Sequence, residues 1–217
     1  MAVPFIRSLN RDKEGNPGTS RYIQSLADRL YKSSPPIPYR FTIHVRNDHV
    51  VNAVALPGGH ILIYKGLPDK VGSENERAFV PAHEMGHYAD RDHLRGLGRT
   101  VVFVAMSTLL PGPDSTVSTM MAQSLAMTEL SFSRKQECRA DECAVEALIR
   151  IYGHIAGAID FFEKIPRERD PVASGHCSAS HPENSRRSDH IKDIIRAEGS
   201  ASGDHKLLPY KVEKSVN

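Results

Sequence analysis

Three cysteines in 217 residues are too few, and too odd in number, to frame a fold with disulfides. Packing or a metal ion must hold the chain together. Charge of one sign is also lacking: 28 basic against 26 acidic residues leave a net +2. A chain that tracks phosphates carries a basic excess, so nucleic acid is not an expected partner. Nor is there a long apolar run. Residues 1–20 are interrupted by Arg7, Arg11 and Lys13 and lack the apolar centre of an export signal. The most apolar stretch, 100–128, has Asp114 as its one charge but is split by Pro111-Gly112-Pro113. Each piece is shorter than the ~20 residues needed to cross a bilayer. The expectation is a soluble protein, cytoplasmic or, if an export segment has been removed, in the cell envelope or periplasm. A Gly-rich phosphate loop, a G-x-S-x-G elbow and internal repeats are absent too.

What is present is an ordinary globular composition, 40% hydrophobic and 25% charged, at a length that favours one domain with additions. Residues 20–198 are the expected domain, with 1–19 an extension and 199–217 a tail. Tyr22, Ile23, Leu26, Ala27 and Leu30 recur at helical spacing over Ser20 to Tyr31, and the prolines from Pro35 onward stop that helix. Phe41, Ile43 and Val45 then alternate with polar residues. With Val50 to Leu56 and His60 to Tyr64, joined by Pro57-Gly58-Gly59, they read as a small antiparallel sheet with a glycine hairpin. A third pattern starts at Ser73, with Glu76 placed to complete a capping box. Pro81 lies inside this helix and predicts a kink or a late start. Further helices are expected over Ser133 to Tyr152, His154 to Ile165 and Glu183 to Glu198. The fold class is α+β and mainly helical.

Eleven histidines are the unusual count. Two of them occur in His83-Glu84-Met85-Gly86-His87, an H-E-x-x-H on a predicted helix. Four residues apart, the imidazoles project from one face and can share a zinc ion, with Glu84 beside them. A catalytic zinc takes three protein ligands and keeps a fourth position open. Glu137-Cys138-Arg139-Ala140-Asp141 offers the missing donor, because its two carboxylates lie one helical turn apart. Glu137 can ligate, and Asp141 can accept from a ligand's second ring nitrogen. The competing reading is a solvated acidic edge balanced by Arg134, Lys135 and Arg139. A third cluster, Ser180-His181-Pro182-Glu183-Asn184-Ser185-Arg186-Arg187, either caps the last helix or supplies an oxyanion donor. An arginine in it can fix a carboxylate or a substrate carbonyl.

These motifs, with the Asn52 to Ile61 segment N-A-V-A-L-P-G-G-H-I, resemble the gluzincin metallopeptidases that include HtpX and the CAAX prenyl protease. The likeness covers about residues 20–198, in the family's order, and is closest to soluble single-domain members. It implies a mainly helical zincin-like domain and a metalloendopeptidase holding one zinc ion per chain. It also implies site residues: His83, His87 and Glu137 as ligands, Asp141 behind them, Glu84 as catalytic base, and His181 on the transition state. Arg187 matches the trailing arginine. Pro57, Gly58, Gly59 and His60 resemble the edge along which extended polypeptide substrate aligns. The role implied is protein quality control. The competing function is a latent or chaperone-like binding module on the same fold. For 100–128 the expectations are a lid, a membrane-surface or homo-oligomer contact, or a buried helix pair.

Overall fold

Proline at the first helical position and an asparagine cap begin the fold earlier than the expected Ser20. The computed structural model of the chain describes residues 15–56, 58–96, 132–164 and 185–198. Its first helix, α1, spans Pro17–Ser33, and the Asn16 side chain accepts from the Gly18 N–H at 2.7 Å. Proline lacks one of the N–H groups that a helix start leaves unpaired, and the Asn16 cap satisfies another. The buried stripe is Ile23, Leu26, Ala27 and Leu30, the face expected from spacing.

The sheet comprises β1 (Thr42–Arg46), β2 (Ala53–Leu56) and β3 (His60–Tyr64), in the order β1-β3-β2. The expected hairpin joins β2 to β3, with Gly58 at φ 91° and Gly59 at φ 85°. A Cβ on Gly59 would lie 2.3 Å from the Arg40 carbonyl oxygen, so no larger residue fits. The sheet is mixed, however, and this corrects the antiparallel expectation. β1 runs parallel to β3, from Thr42 opposite His60 to Arg46 opposite Tyr64. Alternation identifies a strand but not its neighbour. The visible sign was that Ile61, Leu62 and Ile63 form a continuous apolar run, the mark of a central strand covered on both faces.

After α2 (Gly66–Lys70) comes α3 (Glu74–Ala89), which carries H-E-x-x-H. Ser73 caps the helix as expected, its Oγ accepting from the Glu76 N–H at 3.3 Å and donating to the Glu76 carboxylate at 2.9 Å, but the return bond of the box goes from the Gly72 N–H to Glu76 at 3.1 Å and not from Ser73. The helix therefore does not start late, and it continues through Pro81 to Ala89. Its first turn is tied into the molecule. The Tyr22 and Tyr152 hydroxyls and Arg29 all donate to Glu74, at 2.8 to 3.0 Å, and Lys164 donates to Glu76 at 2.7 Å. Carboxylates at a helix N-terminus also complement its dipole.

The remaining helices are α4 (Arg134–Tyr152), α5 (Ala158–Lys164) and α6 (Ser185–Glu198). Ser133 and Gln136 form a full capping box on α4, and Gly153 ends it in the left-handed region at φ 76°. α5 is shorter than expected because Gly157, at φ 100°, breaks the pattern before it. Among the described residues, no helix is long and apolar enough to cross a membrane. Segment 100–128 and tail 199–217 lie outside the described residues, as does most of the 1–19 extension, whose last residues already belong to α1.

The close approach of α3 and α4 sets the geometry of everything below. A Cβ on Gly86 would stand 2.8 Å from the Ala140 Cα and 3.1 Å from its carbonyl oxygen. The glycine of H-E-M-G-H and the alanine of E-C-R-A-D are thus packing partners. Gly86→Ala should force the helix backbones apart, at a cost of about 1–3 kcal/mol. Denaturant unfolding would read that loss. Undiminished stability together with undiminished metal affinity would show that the two helices need not approach so closely.

Candidate metal centre

With α4 pressed onto α3, Glu137 and Asp141, which flank Ala140, come to lie over His83 and His87. All four side chains are almost wholly buried. The Nε2 atoms of the two histidines are 3.2 Å apart, and Glu137 reaches the first with Oε2 at 3.5 Å and the second with Oε1 at 3.4 Å. A tetrahedral ion at ~2.0–2.2 Å from its donors needs donor separations of about 3.3–3.6 Å. Within the described residues His83, His87 and Glu137 are the one group of three or more such donors close enough to hold a metal ion.

The outer ring nitrogens explain why positive charge belongs in that gap. His83 Nδ1 lies 2.9 Å from Asp141, and His87 Nδ1 lies 3.1 Å from Asp92. Each carboxylate fixes its imidazole as the tautomer protonated on Nδ1, so both Nε2 lone pairs point at one spot. Two lone pairs at 3.2 Å need a proton or a metal ion between them. The proton affinity of His83 agrees. Burial opposes its imidazolium, but hydrogen bonds to Asp141 and Glu137 outweigh that, and the pKa is pushed up to about 9. His87 is raised in the same way, against burial, by Asp92 and Glu137. Burial acts to raise Asp141, yet His83 and Arg187 hold its carboxyl below the usual range.

A pH dependence follows. A folded-state pKa above the unfolded 6.5 stabilises the metal-free protein fully below pH 6.5, and this stabilisation is lost as pH rises through about 9. The melting temperature of chelator-treated protein should fall across that window. Saturating divalent metal should flatten the slope, since it replaces the proton. A flat profile without metal would remove the protonated pair.

Each expected site residue has a definite place or lies outside the described part. His83, His87 and Glu137 come together, Asp141 stands behind His83, and Glu84, next to His83 in α3, is buried. Arg187 on α6 does not stand open to a substrate carbonyl. It meets carboxylates of its own chain: Glu137 at 2.6 Å, and Asp141 through Nε at 2.8 Å and Nη2 at 2.7 Å. Such bidentate geometry is what a guanidinium does best. Gly58, Gly59 and His60 form the hairpin, and the Tyr88 hydroxyl donates to the carbonyls of Leu56 and His60, joining it to α3 beside His87. Pro57 and His181 lie outside the described residues.

Sequence reading missed Asp92. It sits five residues past His87, beyond the end of α3, where helical spacing no longer applies. Arg91 takes φ 58°, a left-handed turn that sends the chain back beneath His87. Gln136 then donates to Asp92 at 2.7 Å, so one capping-box residue of α4 also steadies the partner of a histidine on α3. Phe132 was missed as well; it stacks on His87 with centroids 3.8 Å apart.

The comparisons agree with this geometry. Residues 16–195 match the profile of peptidase family M48. The metalloprotease LoiP of Escherichia coli (strain K12) is 29% identical over 192 residues, covering 84% of this chain and 74% of its own length. A putative β-barrel assembly-enhancing protease of Vibrio cholerae is 28% identical over 179 residues, covering 76% of this chain and 37% of that protein. The mitochondrial metalloendopeptidase OMA1 of Arabidopsis thaliana is 33% identical over 147 residues, 66% of this chain and 29% of that protein. The chain thus spans most of the first relative and about a third of the other two. With the match running from the start of α1 almost to the end of α6, and with motifs in the order first seen in the sequence, this chain belongs to peptidase family M48 and is a metalloendopeptidase.

Proposed function

We propose that the protein is a zinc endopeptidase that cleaves extended or unfolded polypeptide, with His83, His87 and Glu137 holding one zinc ion and Glu84 as general base. The observation that carries the reading is the meeting of three donor groups, with the two Nε2 atoms 3.2 Å apart, one Glu137 oxygen 3.5 Å from His83 and the other 3.4 Å from His87, and each imidazole backed by its own carboxylate. Two nitrogens and one carboxylate oxygen suit zinc and leave a position open. Zinc, when bound, supplies Lewis acidity, polarising the scissile carbonyl and bringing the pKa of water toward ~7. Glu84 takes the proton of the attacking water and passes it to the leaving amine. His181 keeps the oxyanion role that the family resemblance gives it, and Asp141, Asp92 and Arg187 position the ligands.

Substrate would enter along β2. The bond from the Tyr64 N–H to the Asn52 carbonyl, at 3.0 Å, sets the ladder's phase. By the antiparallel alternation, Val54 and Leu56 bond to β3 while Ala53 and Ala55 turn their backbone groups outward. Among the described residues no backbone bond reaches that outer edge. The other edge is partly taken: Gly15 N–H bonds to the Val45 carbonyl at 2.9 Å, and the Ile43 N–H donates to Gln24 at 2.8 Å. An extended peptide added to β2 gains backbone bonds whatever its sequence, which suits an enzyme for unfolded chains. The names of the β-barrel assembly-enhancing relatives support a place in protein quality control.

The experiment is metal analysis combined with casein cleavage. One tightly held zinc ion per chain is expected, with cleavage abolished by chelator and restored by zinc. Full cleavage after metal removal would overturn the reading. Zinc-loaded protein inert to every unfolded substrate would favour the binding-module alternative.

A further inference from the structure

On the face of the sheet opposite to that of Ile61 and Ile63, two more imidazoles meet. His44 in β1 and His60 at the start of β3 are diagonal neighbours in the parallel pair, two residues out of register and so on the same face. Their partners in alternation, Ile43, Val45, Ile61 and Ile63, belong to the main core cluster, so both rings lie on the opposite face, which they share with buried Leu62. His44 Nε2 lies 3.0 Å from His60 Nδ1, with ring centroids 5.1 Å apart and planes tilted by 46°. Both residues are half-buried, within reach of solvent. Gly58 leaves one flank of His60 open, for a Cβ there would stand 3.6 Å from its Cδ2 and 3.9 Å from its Nε2.

We propose that His44 and His60 form a second, peripheral site for a divalent transition-metal ion, bound by two imidazoles and completed by water. Two ring nitrogens 3.0 Å apart hold one hydrogen between them. A metal ion that replaces it uses both lone pairs at once, after a widening of a few tenths of an ångström toward the ~3.3 Å spacing of donors on one ion. Imidazole is a ligand for zinc, nickel and copper, so zinc is a fair probe. Arg46, on this face by alternation, is turned to Asp48 at 3.6 Å and lies over the Tyr64 ring at 5.8 Å. A bound ion would clamp β1 to the end of β3 that carries the Gly58–Gly59 turn. Because the His60 carbonyl accepts from the Tyr88 hydroxyl at 3.0 Å, the clamp adjoins the residue after His87.

The test is a calorimetric zinc titration of the full chain after chelation and dialysis. The wild type should bind two zinc ions, the second at least ten-fold more weakly. His44→Gln should bind one, and His49→Gln, at an exposed position beyond β1, should still bind two. His83→Gln should lose the tight ion and keep the weak one, which separates this proposal from the proposed catalytic site. Should His44→Gln not fold, His60→Gln is titrated instead, with the same expected drop from two ions to one. One ion in the wild type, or two in either sheet variant, would overturn the proposal.

Discussion

Glu84→Gln should keep zinc and lose peptide hydrolysis by about 10²- to 10⁴-fold, the usual range for removing a general base. The substitution is close to isosteric, so a side chain that is 2% exposed can be replaced without a cavity. The three donor atoms belong to other residues, and their spacing rests on the α3–α4 contact at Gly86 and Ala140. Glutamine can accept and donate hydrogen bonds but cannot carry a proton from water to an amine. The negative charge of Glu84 also helps to raise the proton affinity of His87, so removing it eases the competition between proton and metal there. Metal analysis and kcat/KM on a fluorogenic peptide are the two readouts. A variant with its zinc and near-normal kcat/KM would remove Glu84 from the mechanism. Loss of both zinc and activity would make its role structural.

What the sequence made legible was whatever depends on short range. Helix faces, the Ser73 cap and the glycine hairpin follow from spacing within a few residues, and the structure has them where expected. Strand order did not follow, because the partner of β1 is chosen by burial of β3 on both faces and not by any periodicity in β1. The site divides the same way. His83 and His87 share a helix face, and so do Glu137 and Asp141, but the length between the two pairs is bridged by tertiary packing alone. Motif order supplied that link through resemblance; Gly86 against Ala140 supplies its physical cause. Asp92 was illegible because it acts after the helix ends, through the left-handed turn at Arg91. Arg187 was visible as a residue with two readings, a carboxylate or a substrate carbonyl. Only the placement of α6 against α4 selects the carboxylates.

That placement carries the second large effect. Arg187→Met should destabilise the metal-free protein by about 3–5 kcal/mol, the cost of removing one partner from a buried ion pair. Glu137 and Asp141 have no exposed surface, and the guanidinium touches both. Without it, two buried carboxylates one turn apart share only the charge on the histidines. Methionine fills much of the volume, so a cavity contributes little and the loss reports charge. Arg187→Lys should recover part of it at most, because one ammonium cannot hold Asp141 through two nitrogens and still reach Glu137. Zinc should shrink the deficit, since an ion on Glu137 neutralises one of the stranded carboxylates. Denaturant unfolding of both variants, with and without zinc, makes the comparison. A loss below about 1 kcal/mol without metal would mean that the carboxylates find other counter-charge. A loss that zinc leaves unchanged would mean that Arg187 matters for docking α6 and not for the charge balance around the ligand.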